Sequence, residues 1–254
     1  MCTCTVIPLS DSIGRLTGFR LVTSRDEQRT RKPAERPSIV SSRGAAACWP
    51  TDADAGGTWV SATEHGVVLC LLNVNLLDAE PPSTGTRTRG EIIPKLTGLL
   101  TLDDVATGLR TMDLHRYRPF RLVAATREGL VDFRWDRQRL IETRRPLEPA
   151  CFVSSGLGDH MVEPRLMLFE TMFRSSLTDQ RHTGKMQDSY HQHVWPQHEH
   201  LSVMMSREEA RTTCITTVEA TWERGGDPAV RMHFSDDDGE HRLSLHDLAT
   251  TVSC

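Results

Sequence analysis

Six consecutive apolar residues, Val67-Val68-Leu69-Cys70-Leu71-Leu72, constrain this chain more than any other stretch. The run has the length of a strand. With no polar residue at either alternating position, it predicts a strand buried on both faces, so a layer must pack on each side of it. It falls far short of the roughly 18 apolar residues that span a bilayer, and no transmembrane segment is expected. The run ends in Asn73-Val74-Asn75, where polar side chains emerge at a strand end, a usual place for a site.

The segments around it follow in order. Cys2 to Pro8 and Gly18 to Thr23 read as two strands joined by the turn residues Asp11-Ser12-Ile13-Gly14. Paired antiparallel, they bring Ser24-Arg25-Asp26-Glu27 back alongside Cys2. Residues 28–44, rich in Arg, Pro and Ser, read as an exposed loop, as do residues 78–88. Trp59 to Ala62 and Gly66 to Asn73 form a second hairpin. Arg89 to Leu100 carries helical signal. A better marked helix follows, with Thr101 as cap, Asp104 three residues on, and Leu102, Val105, Leu109 and Met112 recurring on one face. Phe120 to Ala125, Gly129 to Trp135 and Cys151 to Ser154 read as strands. Met161 to Phe173 returns to helical spacing, with Val162, Leu166, Phe169 and Phe173 on one side. Residues 176–200 are polar. Leu201 to Met205, Thr213 to Trp222, Ala229 to Phe234 and Arg242 to Leu245 read as final strands. Two helical groups among many strands predict a layered domain without the alternation of a Rossmann fold.

A length of 254 residues allows one large domain or two small ones. The net charge of −4 predicts no field for nucleic acid. The N-terminus lacks a basic segment followed by an apolar one, so no secretory signal is read. Cysteines stand at 2, 4, 48, 70, 151, 214 and 254. Their odd count and the lack of a CxxC pair point away from a disulfide framework or zinc ribbon, and a reducing cytoplasm is the simplest compartment.

Cys2 directly follows Met1. Cysteine is small, so an aminopeptidase that trims Met could expose Cys2 with a free α-amine. That amine, with a reference pKa of about 7.7–8.0, can take the proton of its own thiol, at about 8.5. Cys2 is therefore either an N-terminal nucleophile or a small buried residue starting a strand. Cys4 lies on the same strand face and reads as packing beside it. Arg25 and Asp26 are site groups or an ion pair at a hairpin end. Asn73 is a site amide or a strand-terminating turn residue. Cys48, Cys70, Cys151 and Cys214, in apolar or strand settings, read as inert. Four histidines, His191, His193, His198 and His200, offer enough imidazoles for Zn or Cu. Their polar, Gln-containing stretch reads instead as a solvated loop, with no metal.

An ordered set of pieces carries a family likeness: Met1-Cys2-Thr3, Gly18 to Glu27, Gly56-Gly57-Thr58-Trp59, Leu72 to Asn75, Arg89 to Pro94, Tyr117 to Val123, Ser154 to Asp159, Leu201 to Ser206 and Arg211-Thr212. In these the chain resembles the NRDE family, which includes the transport and Golgi organisation proteins, over nearly its whole length. The resemblance implies a single domain over residues 1–254. It implies an α+β fold of the N-terminal nucleophile hydrolase type, a four-layer αββα sandwich of two stacked, mainly antiparallel sheets flanked by helices. More distantly the chain resembles the bile salt and penicillin V amidases. By that likeness Cys2 is the nucleophile, Arg25 holds thiolate or substrate, and Asp26 positions the α-amine. Asn73 supplies an oxyanion amide, Arg211 is a second cation near the thiol, and Ser155 and Asn75 contact substrate. Ser24 stands where the motif naming the family begins with Asn, and Ser155 where the amidases use a second Asn. The implied functions are cleavage of a small-molecule, non-peptide amide C–N bond or, alternatively, haem binding or trafficking without catalysis. A structural or interaction role with no ligand is a third. No cofactor is implied, with haem entering only as a ligand.

Overall fold

The computed structural model describes residues 2–76, 87–173, 183–224 and 226–245. Among these residues, thirteen strands make two antiparallel sheets. The first contains β1 (Cys2–Ser10), β2 (Leu16–Gln28), β10 (Ala150–Ser154), β11 (Ala210–Thr221), β12 (Ala229–Asp236) and β13 (Gly239–Ser244), in the order β10-β1-β2-β11-β12-β13. The second contains β3 (Glu35–Ser42), β4 (Ala45–Thr51), β5 (Val60–Thr63), β6 (Val68–Asn73), β7 (Phe120–Thr126), β8 (Gly129–Trp135) and β9 (Leu140–Arg145), in sequential order.

The doubly apolar run explains the layering. Val68, Cys70 and Leu72 face the other sheet, in a core with Cys4, Val6, Phe19 and Leu21. Val67, Leu69 and Leu71 face outward against α1 (Ile92–Leu96) and α2 (Leu102–Arg110). On the far side of the first sheet, Ile7 packs with Phe169 and Phe173 of α3 (Glu163–Phe173) and Tyr190 of α4 (Thr183–His191). The result is the four-layer αββα sandwich. Each fully buried Leu, Val or Phe contributes roughly 1.5–3 kcal/mol through lost water contact, so the run is a large part of what fixes the second sheet.

Helix α2 starts as its sequence requires. The Thr101 side chain accepts from the Asp104 N–H, and Asp104 accepts from the Thr101 N–H. Among the described residues no helix is long and apolar enough to cross a membrane.

Several expectations are corrected. Residues 28–44 contain β3, an edge strand that pairs on one side only, with β4, and leaves most of its side chains exposed. Strands β4 and β9 stand where the sequence signalled none. Leu201 to Met205 is not a strand. A 3-10 turn spans Glu199–Leu201, and Val203 and Met205 are buried while Met204 points out, which imitates strand alternation without a ladder. The polar stretch before it contains α4, which covers β1 and β2. The loop expected at residues 78–88 lies mostly outside the described residues.

Candidate active site

Hairpin β1–β2 places the first candidates. Cys2 lies directly across from Arg25 on one side and from Ser154 on the other. Residues opposite each other on antiparallel strands share a face, so the thiol, Arg25 and Ser154 all face the second sheet. Asp26 is the next residue, and its carboxylate points to the opposite face. There it accepts from Thr212 Oγ1 at 2.6 Å and lies 3.4 Å from Arg165 Nη1. What Asp26 offers the thiol is its backbone N–H, which donates to the sulfur. Burial pushes the Cys2 thiol above its ordinary value, and the Asp26 charge pushes the same way, against that N–H. Cys4, one step further along the same face, is fully buried and shares a hydrogen bond with Cys70.

A cavity of about 200 Å³ opens beside Cys2, between the ends of the two sheets. Arg25, Asn73, Arg31, Asp52, Trp59 and Arg89 contribute to its wall. Arg25 is 5% exposed and clamped. Its Nη2 donates to Asp52 at 2.8 Å and Glu27 at 3.2 Å, and its guanidinium carbon lies 4.5 Å over the Trp59 ring. Asp52 also accepts from Arg31 at 2.5 Å and from the N–H groups of Asp54 and Ala55. Its carboxyl is partly buried, yet these bonds and cations hold it below the usual carboxylate range. Arg89 reaches the cavity from the turn before α1, donating to the Pro119 carbonyl at 2.9 Å. That turn is held by a close approach of two glycines. The Thr58 N–H donates to the Gly90 carbonyl at 3.1 Å, and a Cβ on Gly57 would fall 2.6 Å from the Gly90 carbonyl carbon.

The structure separates the other expected residues. Asn73 lines the cavity from the end of β6. Asn75 and Ser155 instead meet at Asp159. The Ser155 N–H donates to Asp159 at 2.8 Å, the Ser155 hydroxyl accepts from the Leu157 N–H at 3.1 Å, and Asn75 approaches Asp159 at 3.5 Å. Ser154, not Ser155, is the serine across from the thiol, and its buried Oγ has no hydrogen-bond partner among the described residues. Arg211, expected near the thiol, lies across from Glu27 and pairs with Asp237 in a different cavity.

The histidine-rich stretch, expected to be a solvated loop, begins with a buried residue, and its imidazoles do not converge. His191 lies under the first sheet, between Thr5 Oγ1 and Ser24 Oγ, both at 2.7 Å. Thr5 Oγ1 also accepts from Gln187, which suits the tautomer in which Thr5 donates to His191 Nε2 and the Nδ1–H faces Ser24. Burial, with Arg20 and Arg165 nearby, pushes the imidazole down to about 3. His193 packs edge-on against Trp195, and His198 and His200 pack against each other. Among the described residues no group of three or more His, Cys, Asp or Glu side chains is placed to hold a metal ion.

Sequence reasoning missed Asp52, Arg89 and Arg165. The first two come to the thiol from turns far apart in the chain. Arg165 had a visible signal, a cation three residues after Val162 within an otherwise apolar helical stripe.

No curated protein matches the chain in sequence. Solved structures resemble it in fold. A mutant conjugated bile acid hydrolase from Clostridium perfringens superposes with a TM-score of 0.52 at 8% identity, over 96% of this chain and 93% of the other. The Caenorhabditis elegans orthologue of N-acylethanolamine-hydrolyzing acid amidase superposes with a TM-score of 0.56 at 12% identity, over 85% and 92%. At such identities the likeness is one of fold. Residues 13–228 match the model of the family described as Transport and Golgi organisation 2, and the chain belongs to that family.

Proposed function

We propose that this protein is a cysteine hydrolase of a small-molecule amide, acting through Cys2 once Met1 has been removed. The observation that supports it most is the position of Cys2. Cys2 lines a polar cavity, with Arg25 across from it and Asn73 in the same wall. Cys48, Cys151 and Cys214 are packed among other side chains, where burial pushes their thiols up to about 12.

The burial-raised thiol needs a base. With Met1 gone, the Cys2 amine starts β1, and the Asp26 charge, which acts on Cys2 from the other face of the sheet, favours the ammonium form. The amine takes the thiol proton and the sulfur attacks the amide carbonyl. The C–S bond forms, the C–N bond breaks, and the ammonium gives the proton to the leaving amine. Water then hydrolyses the thioester. An Asn73 amide N–H aimed at the developing oxyanion would be worth about 2.7–4 kcal/mol. The cavity is smaller than the roughly 300–1,000 Å³ of sites for drug-sized ligands, which favours a small amide group over haem as its occupant.

The test is intact mass followed by an amide screen. Loss of Met1, turnover of an amide, and no turnover by a folded Cys2→Ala variant are expected. Retained turnover in Cys2→Ala refutes the mechanism, and a retained Met1 on an active protein refutes the role of the amine.

A further inference from the structure

The cations around Cys2 are not equally engaged. Asp52 is saturated by Arg25, Arg31 and two backbone N–H groups. Glu27 accepts from Arg25 and from the Gln28 N–H and lies 3.8 Å from Arg31. Arg31 Nε and Trp59 Nε1 also lack a hydrogen-bond partner among the described residues, but Arg31 is held among Asp52, Asp54 and Glu27 and Trp59 is neutral. Two cationic edges are left over. Arg25 Nη1 is buried and has no hydrogen-bond partner among the described residues. Arg89 spends one N–H on the Pro119 carbonyl and has no carboxylate partner among the described residues. Both arginines line the cavity together with Cys2. Burial draws Arg89 down to about 10, with the neighbouring Arg118 adding to it, so it carries its charge at neutral pH at some cost. A buried donor without an acceptor, as at Arg25 Nη1, is costly, and two guanidinium groups beside one small cavity match a carboxylate better than a neutral group.

We propose that Arg89, together with the Nη1 edge of Arg25, forms an anion subsite next to Cys2 that selects a small amide bearing a carboxylate. As an account of substrate class this rests on the hydrolase reading. As a binding site it stands without it. Asp52 and Trp59 are then positioning residues, which hold Arg25 so that Nη2 is occupied and Nη1 is left for the ligand. The Gly57–Gly90 contact fixes Arg89 in the same way.

The experiment uses two alkylating agents of nearly equal size, iodoacetate and iodoacetamide, on the whole protein near pH 8.5. In both, the Cys2 sulfur displaces iodide, forming an S–C bond as the C–I bond breaks. Neither needs the α-amine or turnover. Mass spectrometry gives the rate at Cys2 with each agent, and glutathione gives the ratio for an unassisted thiol. The ratio of iodoacetate to iodoacetamide is expected to exceed that of glutathione by about ten-fold or more, the scale of one charge-assisted contact. In Arg89→Gln it falls to near the glutathione ratio, and in Arg89→Lys it is partly kept. A wild-type ratio at or below that of glutathione, or one unchanged in Arg89→Gln, overturns the proposal.

If Cys2 is inert to both agents, calorimetric titration with N-acetylglycine and N-acetylglycinamide decides. Preference for the acid, lost in Arg89→Gln, supports the subsite. Equal binding, or none, overturns it. An anion preference with no amide turnover sinks the hydrolase reading and leaves the subsite standing. Turnover of neutral amides with no anion preference does the reverse.

Discussion

Acid should destabilise this protein through His191 well before its carboxylates titrate. His191 is 1% exposed and its pKa is pushed from 6.5 down to about 3, first by burial and then by Arg20 on β2 and Arg165 on α3. In the unfolded chain the imidazole protonates near 6.5, whereas the folded protein resists protonation until about 3. The unfolded state therefore binds the extra proton, and stability falls as pH falls through that window. The contribution is fully present above 6.5 and its loss levels off below 3. Each pH unit inside the window costs about 1.4 kcal/mol, so going from about pH 8 to about pH 5 costs about 2 kcal/mol. For a chain of this size that is a fall in Tm of about 4–8 °C. The assay is thermal unfolding at both pH values for wild type and His191→Gln. Glutamine cannot titrate, so the variant starts from a lower Tm but loses about 2 kcal/mol less on acidification. The other histidines contribute equally to both proteins and cancel. Equal losses in the two would refute the buried neutral imidazole.

Two further substitutions test how the site is held. Arg165→Met removes one cation from the buried Asp26 carboxylate, 3.4 Å away, and the donor that Thr3 meets at 2.8 Å; the loss should be up to about 3–5 kcal/mol by urea unfolding, with partial recovery when Asp26→Asn is added. No recovery in the double variant would mean that the charge is not what Arg165 answers. Gly57→Ala drives a Cβ into the Gly90 backbone, which cannot move away as a flexible side chain would. It should cost about 1–3 kcal/mol and slow Cys2 alkylation by iodoacetate more than by iodoacetamide, and an unchanged urea midpoint would rule out the contact.

What the sequence showed, and what it hid, follows from where side chains are buried. Val67 to Leu72 announced itself because both of its faces are packed. The cap of α2 was legible because it is local, with Thr101 and Asp104 three residues apart. Strands β3 and β9 were missed because they are the two edges of the second sheet, so their exposed residues need no apolar alternation. Strand β4 was hidden by its composition, since the alanines and the proline of Ala45–Thr51 carry little strand preference. Leu201 to Met205 misled because alternating burial can arise without a paired strand. At the site, Cys2 facing Arg25 could be read from the hairpin, since β-pairing fixes it. Asp52 and Arg89 could not, because turns bring them to the thiol and only the closed sandwich sets the distance. Arg211 looked like a nearby cation because it follows the ordered motifs, but its place on β11 is opposite Glu27, two residues past Arg25.

The alternation of β1 and β2 divides the same hairpin between two tasks. Cys2, Cys4 and Val6 point to the second sheet with Arg25, Thr23 and Leu21 across from them. Thr3, Thr5 and Ile7 point to α3 and α4, with Ser24, Asp26 and Arg20 on the same side. This second face is a buried polar network: Arg165 holds Thr3 and Asp26, Gln187 holds Thr5 and Arg20, and His191 bridges Thr5 and Ser24. These side chains all lie on the face away from the thiol. Yet a slip of one residue between β1 and β2 would bury Cys2 in the network and turn Thr3 toward the cavity. Apolar packing alone would specify that register weakly, because the small cysteines and threonines that open β1 fit either face. Hydrogen bonds from three side chains on two helices specify it strongly, since a slip would strand each of them. The helices behind the first sheet thus fix which face of the hairpin carries the thiol, without approaching the cavity themselves.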